Sequence, residues 1–175
     1  VTTVAQALPL RLPLALAYTP EEAEAAAEAW GFNCGPASIC ALLGMTPAEL
    51  RPHLLDFELK RYTNPTLMIM VLQDLGVLRR RRMDALWPDY GVVRLQWAGP
   101  WTREGVPMRA RYRHTHWVAS CVRYGNRPDG VFDVNVGHWT PFENWRADLV
   151  PWLLKECEPK ATGEWWVTHS LEAEP

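Results

Sequence analysis

The residue whose type and position most readily do chemistry is Cys34, in the run Trp30-Gly31-Phe32-Asn33-Cys34-Gly35-Pro36-Ala37-Ser38-Ile39-Cys40-Ala41-Leu42-Leu43-Gly44. Gly31 is expected to close a preceding helix and Asn33 is a favoured N-cap residue. Ala37, Ile39, Ala41, Leu42 and Leu43 then supply an apolar helix that Gly44 ends. This puts Cys34 on the first helical turn. Unpaired N–H groups and the positive end of the helix dipole stabilise a thiolate there and lower its pKa below the free value of about 8.5. A nucleophilic cysteine is made in this way. The competing expectation is a small buried thiol that opens a core helix and does no chemistry.

A second segment carries further polar groups. Arg113-His114-Thr115-His116-Trp117-Val118-Ala119-Ser120-Cys121-Val122 brings a histidine into an apolar strand. After the turn Gly125-Asn126-Arg127-Pro128-Asp129-Gly130 comes Val131-Phe132-Asp133-Val134-Asn135. The pattern reads as a hairpin bearing His and then Asp. In order and spacing, Phe32 to Asn135 resembles the papain-like cysteine peptidase fold, especially the bacteriocin-leader peptidases and related Cys-Gly-Pro peptidases. Those proteins carry Cys on a helix N-terminus, His on a strand and Asp or Asn on the next. The resemblance implies a thiol hydrolase, peptidase or amidase, acting on an amide or related acyl bond. In it Cys34 is the nucleophile, His116 the general base and acid, and Asp133 the group that orients the imidazole. Asn135 would share a strand face with Asp133 and competes for that role. The separation of 17 residues between His116 and Asp133 is closer to the family's.

One position departs from the family. The oxyanion glutamine that it usually places about six residues before the cysteine is here Glu28, which when ionised only accepts hydrogen bonds. The donors expected instead are the Cys34 backbone N–H and the Asn33 side chain, with Asn33 as a mere helix cap the alternative. Glu28 also favours a different class of function, a non-catalytic module that holds a peptide or an anionic ligand in the same cleft. A third expectation is an acyl transferase using the same thiol. His114 and His116, two apart and so on one strand face, could with His138 or Asp133 form a metal site, but the third ligand is not fixed by spacing and Cys34 would lose its explanation. No cofactor and no metal are expected.

Net charge is −2 overall, yet residues 1–78 carry −4, residues 79–127 carry +8 and residues 128–175 carry −6. The run Arg79 to Arg82 reads as a solvated sheet edge whose charge deters further pairing. Arg103, Arg109, Arg111 and Arg113 lead into His116. Arg111 and Arg113 are the candidates to approach the cleft and bind a carboxylate or phosphate on an anionic substrate, with Trp117 beside them walling the cleft. The overall acidity argues against a nucleic-acid partner. Ten tryptophans are many for this length, and Trp30, Trp97, Trp101, Trp117 and Trp139 fall near the proposed site in sequence or by motif.

The elements that must position these residues follow from capping and periodicity. Thr19-Pro20-Glu21-Glu22 opens a helix to Trp30, Thr46-Pro47-Ala48-Glu49 opens another that Pro52 breaks early, and Phe57 to Tyr62 is expected to run along the surface. Asn64-Pro65 opens a helix over Thr66 to Leu75, closed by Gly76, with Leu67, Met70, Val71, Leu72 and Leu75 facing the core. From Val77 onward, β-prone runs at Val92 to Trp97, His116 to Val122, Val131 to Asn135 and Trp165 to His169 predict a largely antiparallel sheet. A third capping box at Thr140-Pro141-Phe142-Glu143 opens helical stretches to Cys157. The composition gives helices first and strands later, hence an α+β chain; the resemblance implies that the Cys helix packs on a sheet bearing His and Asp. With 175 residues and 48% hydrophobic content, a single domain is expected.

The cysteines at 34, 40, 121 and 157 have neither disulfide-framework nor metal-finger spacing, so a reducing, cytoplasmic compartment is expected. Leu8 to Ala17 lacks the basic flank of a signal peptide. Prolines 9 and 13 with Arg11 interrupt it well short of the roughly 18 to 20 apolar residues of a membrane span. The start at Val1 suggests an initiator Met or short leader before it, and Glu172 to Pro175 reads as an acidic tail.

Overall fold

A computed structural model describes residues 19–31, 33–82, 86–122 and 130–174. The Leu8–Ala17 segment and the hairpin turn beginning at Gly125 lie outside the described residues. Helix α1 (Pro20–Trp30) begins with the expected capping box, Thr19 accepting from the Glu22 N–H and Glu22 from the Thr19 N–H. Gly31, at φ 71°, ends it. Helix α2 (Cys34–Leu43) follows and stops at Gly44 in the left-handed conformation, φ 66°. Pro36 falls within its first turn, where the missing N–H breaks no helical hydrogen bond. Every residue of α2 after Cys34 is buried, so this helix is a core element and not an amphipathic surface one.

Thr46 and Glu49 form the second capping box at α3 (Pro47–Leu50), which the Arg51–His53 turn cuts short at Pro52. Phe57 opens a short helix, α4 (Phe57–Lys60), and is fully buried, so the chain there does not simply run along the surface. Asn64 caps α5 (Pro65–Asp74) through the Leu67 N–H at 2.8 Å. The buried face of α5 includes Leu67, Met68, Val71 and Leu72. Met70, expected inside, is 47% exposed, because the helical turn gives its place to Met68.

The remainder builds a six-stranded sheet in the order β1-β6-β2-β3-β4-β5, antiparallel at every pairing. Its strands are β1 (Leu78–Arg82), β2 (Tyr90–Trp97), β3 (Thr115–Cys121), β4 (Gly130–Asp133), β5 (His138–Thr140) and β6 (Trp165–Ala173), and a short helix α6 (Met108–Arg111) precedes β3. The chain is α+β. The arginine-rich β1 is an edge strand, as its charge suggests, and Arg79 and Arg82 pair with Glu172 on β6.

The expected capping box at Thr140 does not form. Thr140 ends β5, paired with Val131, and the next helix, α7 (Phe142–Asn144), starts after Pro141 without a side-chain cap. A π-helical turn over Trp145–Leu149 then leads into α8 (Val150–Glu156).

Both faces of the sheet are covered. On one, Val92, Trp117, Ala119, Phe132 and Leu171 pack against Ile39 and Leu42 of α2 and Val71 and Leu72 of α5. On the other, Val93, Leu95, Trp97, Val118 and Val131 pack against Trp145, Val150 and Leu154. The Tyr90 hydroxyl donates to the Leu42 carbonyl at 2.5 Å and ties the far end of α2 to the central strand. Its near end, carrying Cys34, is thereby held against β3.

Candidate active site

Cys34 is the first residue of α2 and is partly exposed. What fixes it is the neighbouring backbone. Trp97 N–H donates to the His114 carbonyl, which sets the parity of β3: His114 and His116 direct their backbone polar groups to β2, and Trp117 directs its own toward β4. The pairing of β3 with β4 stops at Ala119 and Phe132, so no strand among the described residues receives the Trp117 N–H. It donates to the Cys34 sulfur. The thiol thus takes up a sheet donor left by the early end of β4.

The Gly35 backbone allows the approach from the other side. A Cβ there would lie 2.5 Å from Thr63 Oγ1, so only glycine lets the Thr63 loop close over the start of α2. The Trp117 indole donates to the Thr63 carbonyl at 3.1 Å and holds that loop in place.

His116 is 8% exposed, and its ring stacks on Trp97 with centroids 6.2 Å apart and planes 23° apart. Its Nε2 lies 3.0 Å from Asp133 Oδ1. That leaves Nδ1 for the hydrogen bond with Cys34. Asp133 is fully buried at the end of β4, and four donors converge on it: His116, the Asn135 backbone N–H and side-chain amide, each 3.0 Å from Oδ1, and the Trp145 indole, 3.1 Å from Oδ2.

Electrostatics follow from these contacts. Burial pushes the Cys34 thiol up, but the His116 hydrogen bond and charge and the Trp117 N–H outweigh it, and the pKa falls below its ordinary value. Burial pulls His116 down, yet the Asp133 charge and hydrogen bond, with help from Cys34, raise it well above 6.5. Asp133 is pushed up by burial and, more strongly, drawn down by His116, by the Asn135 N–H and by Trp145. Both shifts favour a thiolate beside an imidazolium, backed by a carboxylate, relative to the neutral thiol and imidazole. Such a pair can attack an acyl carbon and deliver a proton to the leaving group.

No protein-family model, curated protein or solved structure matches this chain.

Of the residues expected from sequence, Cys34, His116, Asp133 and Asn135 are brought together. Asn135 is not on the Asp133 strand face; it sits in the turn after β4, donates to Asp133, and has its amide nitrogen 3.5 Å from His116 Nε2. Asn33 adjoins the thiol, 7% exposed, at the N-cap position but with no capping hydrogen bond from its side chain. Glu28 is exposed on α1.

Trp117 cannot wall a cleft with its ring. Strand alternation turns the ring into the core beneath α2, where it is 1% exposed, while its backbone N–H meets the thiol. Arg113 is exposed, and Arg111 bonds through Nη2 to the Arg103 carbonyl. The alternative metal ligands are dispersed, with His114 bonded to Glu158 at 2.9 Å and stacked on Trp101, and His138 bonded to the Val136 carbonyl. No group of three metal-ligating side chains occurs among the described residues.

Trp97, one of the tryptophans expected near the site, stacks on His116, whereas Trp145 is a part of this constellation that the sequence does not signal. Trp145 is brought to the site by tertiary packing, from 12 residues beyond Asp133. Among the described residues no helix is long and apolar enough to cross a membrane.

Proposed function

We propose that this protein is a thiol-dependent hydrolase of papain-like arrangement, a peptidase or amidase acting on an amide or related acyl bond. The observation that carries this reading is the unbroken chain Cys34, His116 Nδ1, His116 Nε2, Asp133, with Oδ1 of the carboxylate also accepting from Asn135 and Oδ2 from Trp145. A binding module has no use for a buried carboxylate dedicated to an imidazole that faces a thiol.

In the reaction the Cys34 thiolate attacks the acyl carbon, the carbonyl electrons move to oxygen, and collapse expels the amine, which takes the Nδ1 proton of His116. The product is a thioester on Cys34. Water then attacks it, giving its proton to His116 and releasing the acid, with the thiolate restored. Developing oxyanion charge is met by the Cys34 backbone N–H and the Asn33 amide. An amine in place of that water would make the same site a transferase.

The test uses p-nitrophenyl acetate, an activated ester that needs little recognition. A burst of nitrophenolate equal to the enzyme, followed by slower turnover, is expected, with mass spectrometry finding the acetyl group on Cys34. Acetylation of Cys34 no faster than that of exposed Cys157 would reject the hydrolase.

A further inference from the structure

Arg94 lies in the middle of β2, directly opposite Trp117 on β3 and His169 on β6. All three side chains therefore stand on the sheet face that carries α2. Arg94 is 3% exposed. Its Nη2 donates to Thr115 Oγ1 at 3.2 Å, and the half-exposed Tyr112 ring covers the guanidinium at 5.0 Å. Gln96 holds that cover in place, its amide donating to the carbonyls of Arg111 and His114 at 3.0 Å each.

No carboxylate among the described residues pairs with this buried cation, and its Nε has no partner. Its cross-strand neighbour repeats the pattern, since His169 Nδ1 is also buried without a partner. Burial and then the Arg94 charge hold the His169 pKa below its ordinary value, so the ring is neutral and its Nδ1 can carry a single proton to donate. A buried, unpaired guanidinium weakens the fold, and its retention beside an unpartnered imidazole fits a site whose anion arrives from outside. The place of that anion is set by the thiol: Trp117, opposite Arg94, donates its N–H to Cys34, and the Arg94 and Cys34 charges attract one another.

We infer that Arg94 and His169 form a carboxylate-binding cradle beside Cys34, so that the substrate of this thiol bears a carboxylate close to its scissile acyl bond. This deepens the hydrolase reading and rests on it. It also moves the anion-binding role from Arg111 and Arg113 to an arginine within the sheet. A planar guanidinium whose Nε–H lacks a partner offers a carboxylate a directed, charge-assisted contact that a lysine ammonium would not reproduce.

Two haloacetyl reagents that differ only in charge separate the two readings. Cys34 alkylation by neutral iodoacetamide reports the thiolate, and alkylation by iodoacetate reports the thiolate together with the cradle. Site-resolved mass spectrometry is expected to show faster reaction with iodoacetate in the unmodified protein. Arg94→Met should lower the iodoacetate rate by about tenfold or more while the iodoacetamide rate changes little, as loss of a charge-assisted contact requires. Arg113→Met, which removes an exposed charge, should change neither.

If the iodoacetate preference survives in Arg94→Met, the His116 imidazolium alone accounts for it and the cradle is rejected. If Cys34 of the unmodified protein is unreactive even to iodoacetamide, it is the thiolate reading that fails. A measurement without any variant guards against misfolding. Succinate should slow iodoacetamide alkylation of Cys34 to a saturating limit, and chloride at equal ionic strength should not; protection that is absent or non-saturable overturns the proposal.

Discussion

Asn33 holds the N-cap position of α2 but does not cap it, and that separates two roles which the sequence alone leaves joined. A capping asparagine replaced by alanine costs about 0.5 to 2 kcal/mol of stability with little effect on chemistry. The other role is the one proposed for this amide beside the nucleophile, donating to an oxyanion. Removal of one such donor typically lowers turnover by about 100 to 1,000-fold. Asn33→Ala is therefore expected to lose turnover of p-nitrophenyl acetate on that scale per folded molecule, with folding checked by circular dichroism. Asn33→Asp should be at least as inactive, because an ionised carboxylate beside the oxyanion repels it and cannot donate. Full activity in Asn33→Asp would remove this residue from the oxyanion site. The other thiols set the contrast at this scale. Burial raises Cys40, inside α2, far above its ordinary pKa, and burial raises Cys157 as well, the His116 charge offsetting the rise there only in part.

At the scale of elements, the start of α2 is held between the Thr63 loop and β3, and Gly35 is what lets the loop approach. Gly35→Ala puts a methyl 2.5 Å from Thr63 Oγ1 and 2.8 Å from its Cβ, so the loop or the helix must shift. A destabilisation of about 1 to 3 kcal/mol is expected, the range for overpacking a filled site. Urea unfolding measures it. The double variant Gly35→Ala, Thr63→Gly clears the contact and should recover most of the loss, whereas an unchanged midpoint in Gly35→Ala would show that the clamp is loose.

This clamp also marks where the sequence stops being legible. Helix ends could be read because their signals are local: Gly31 and Gly44 adopt the positive φ their positions demand, and the Thr19 and Thr46 boxes close as written. The same four-residue signal failed at Thr140, whose backbone is engaged in pairing with Val131, a partner that no local pattern reveals. Likewise, alternation marks Arg94 and Gln96 as the solvent side of a half-buried strand. The sheet order places β2 between β6 and β3 with helices over both faces, and burial of the two polar side chains follows from that order alone. Cys34, His116 and Asp133 were legible as types and spacing; the Trp145 and Trp117 N–H groups that complete their hydrogen bonding come from tertiary packing.

Across the whole molecule, the His116–Asp133 pair joins the two layers that sandwich the sheet. His116 reaches toward Cys34 and the α2 layer, and Asp133 accepts from Trp145 in the opposite layer. A buried pair of this kind makes the stability of the entire chain depend on pH, and the sign on each side follows from the two shifts. Asp133 is drawn below its ordinary 3.8, so its contribution is fully present above that value and is lost as pH falls through the depressed pKa. His116 is raised well above 6.5, so its contribution is fully present below 6.5 and is lost as pH rises through the raised pKa. Between 3.8 and 6.5 both act together. Asp133→Asn keeps the shape of the side chain and removes its charge, so subtracting its unfolding free energy from that of the unmodified protein isolates the pair. That difference is expected to be largest between those two values and to shrink on both sides. Urea titrations from acid to mildly alkaline pH supply it. A difference that stays constant across the range would mean that the carboxylate contributes hydrogen-bonding shape alone, and that the imidazole beside Cys34 is not held in its charged form by Asp133.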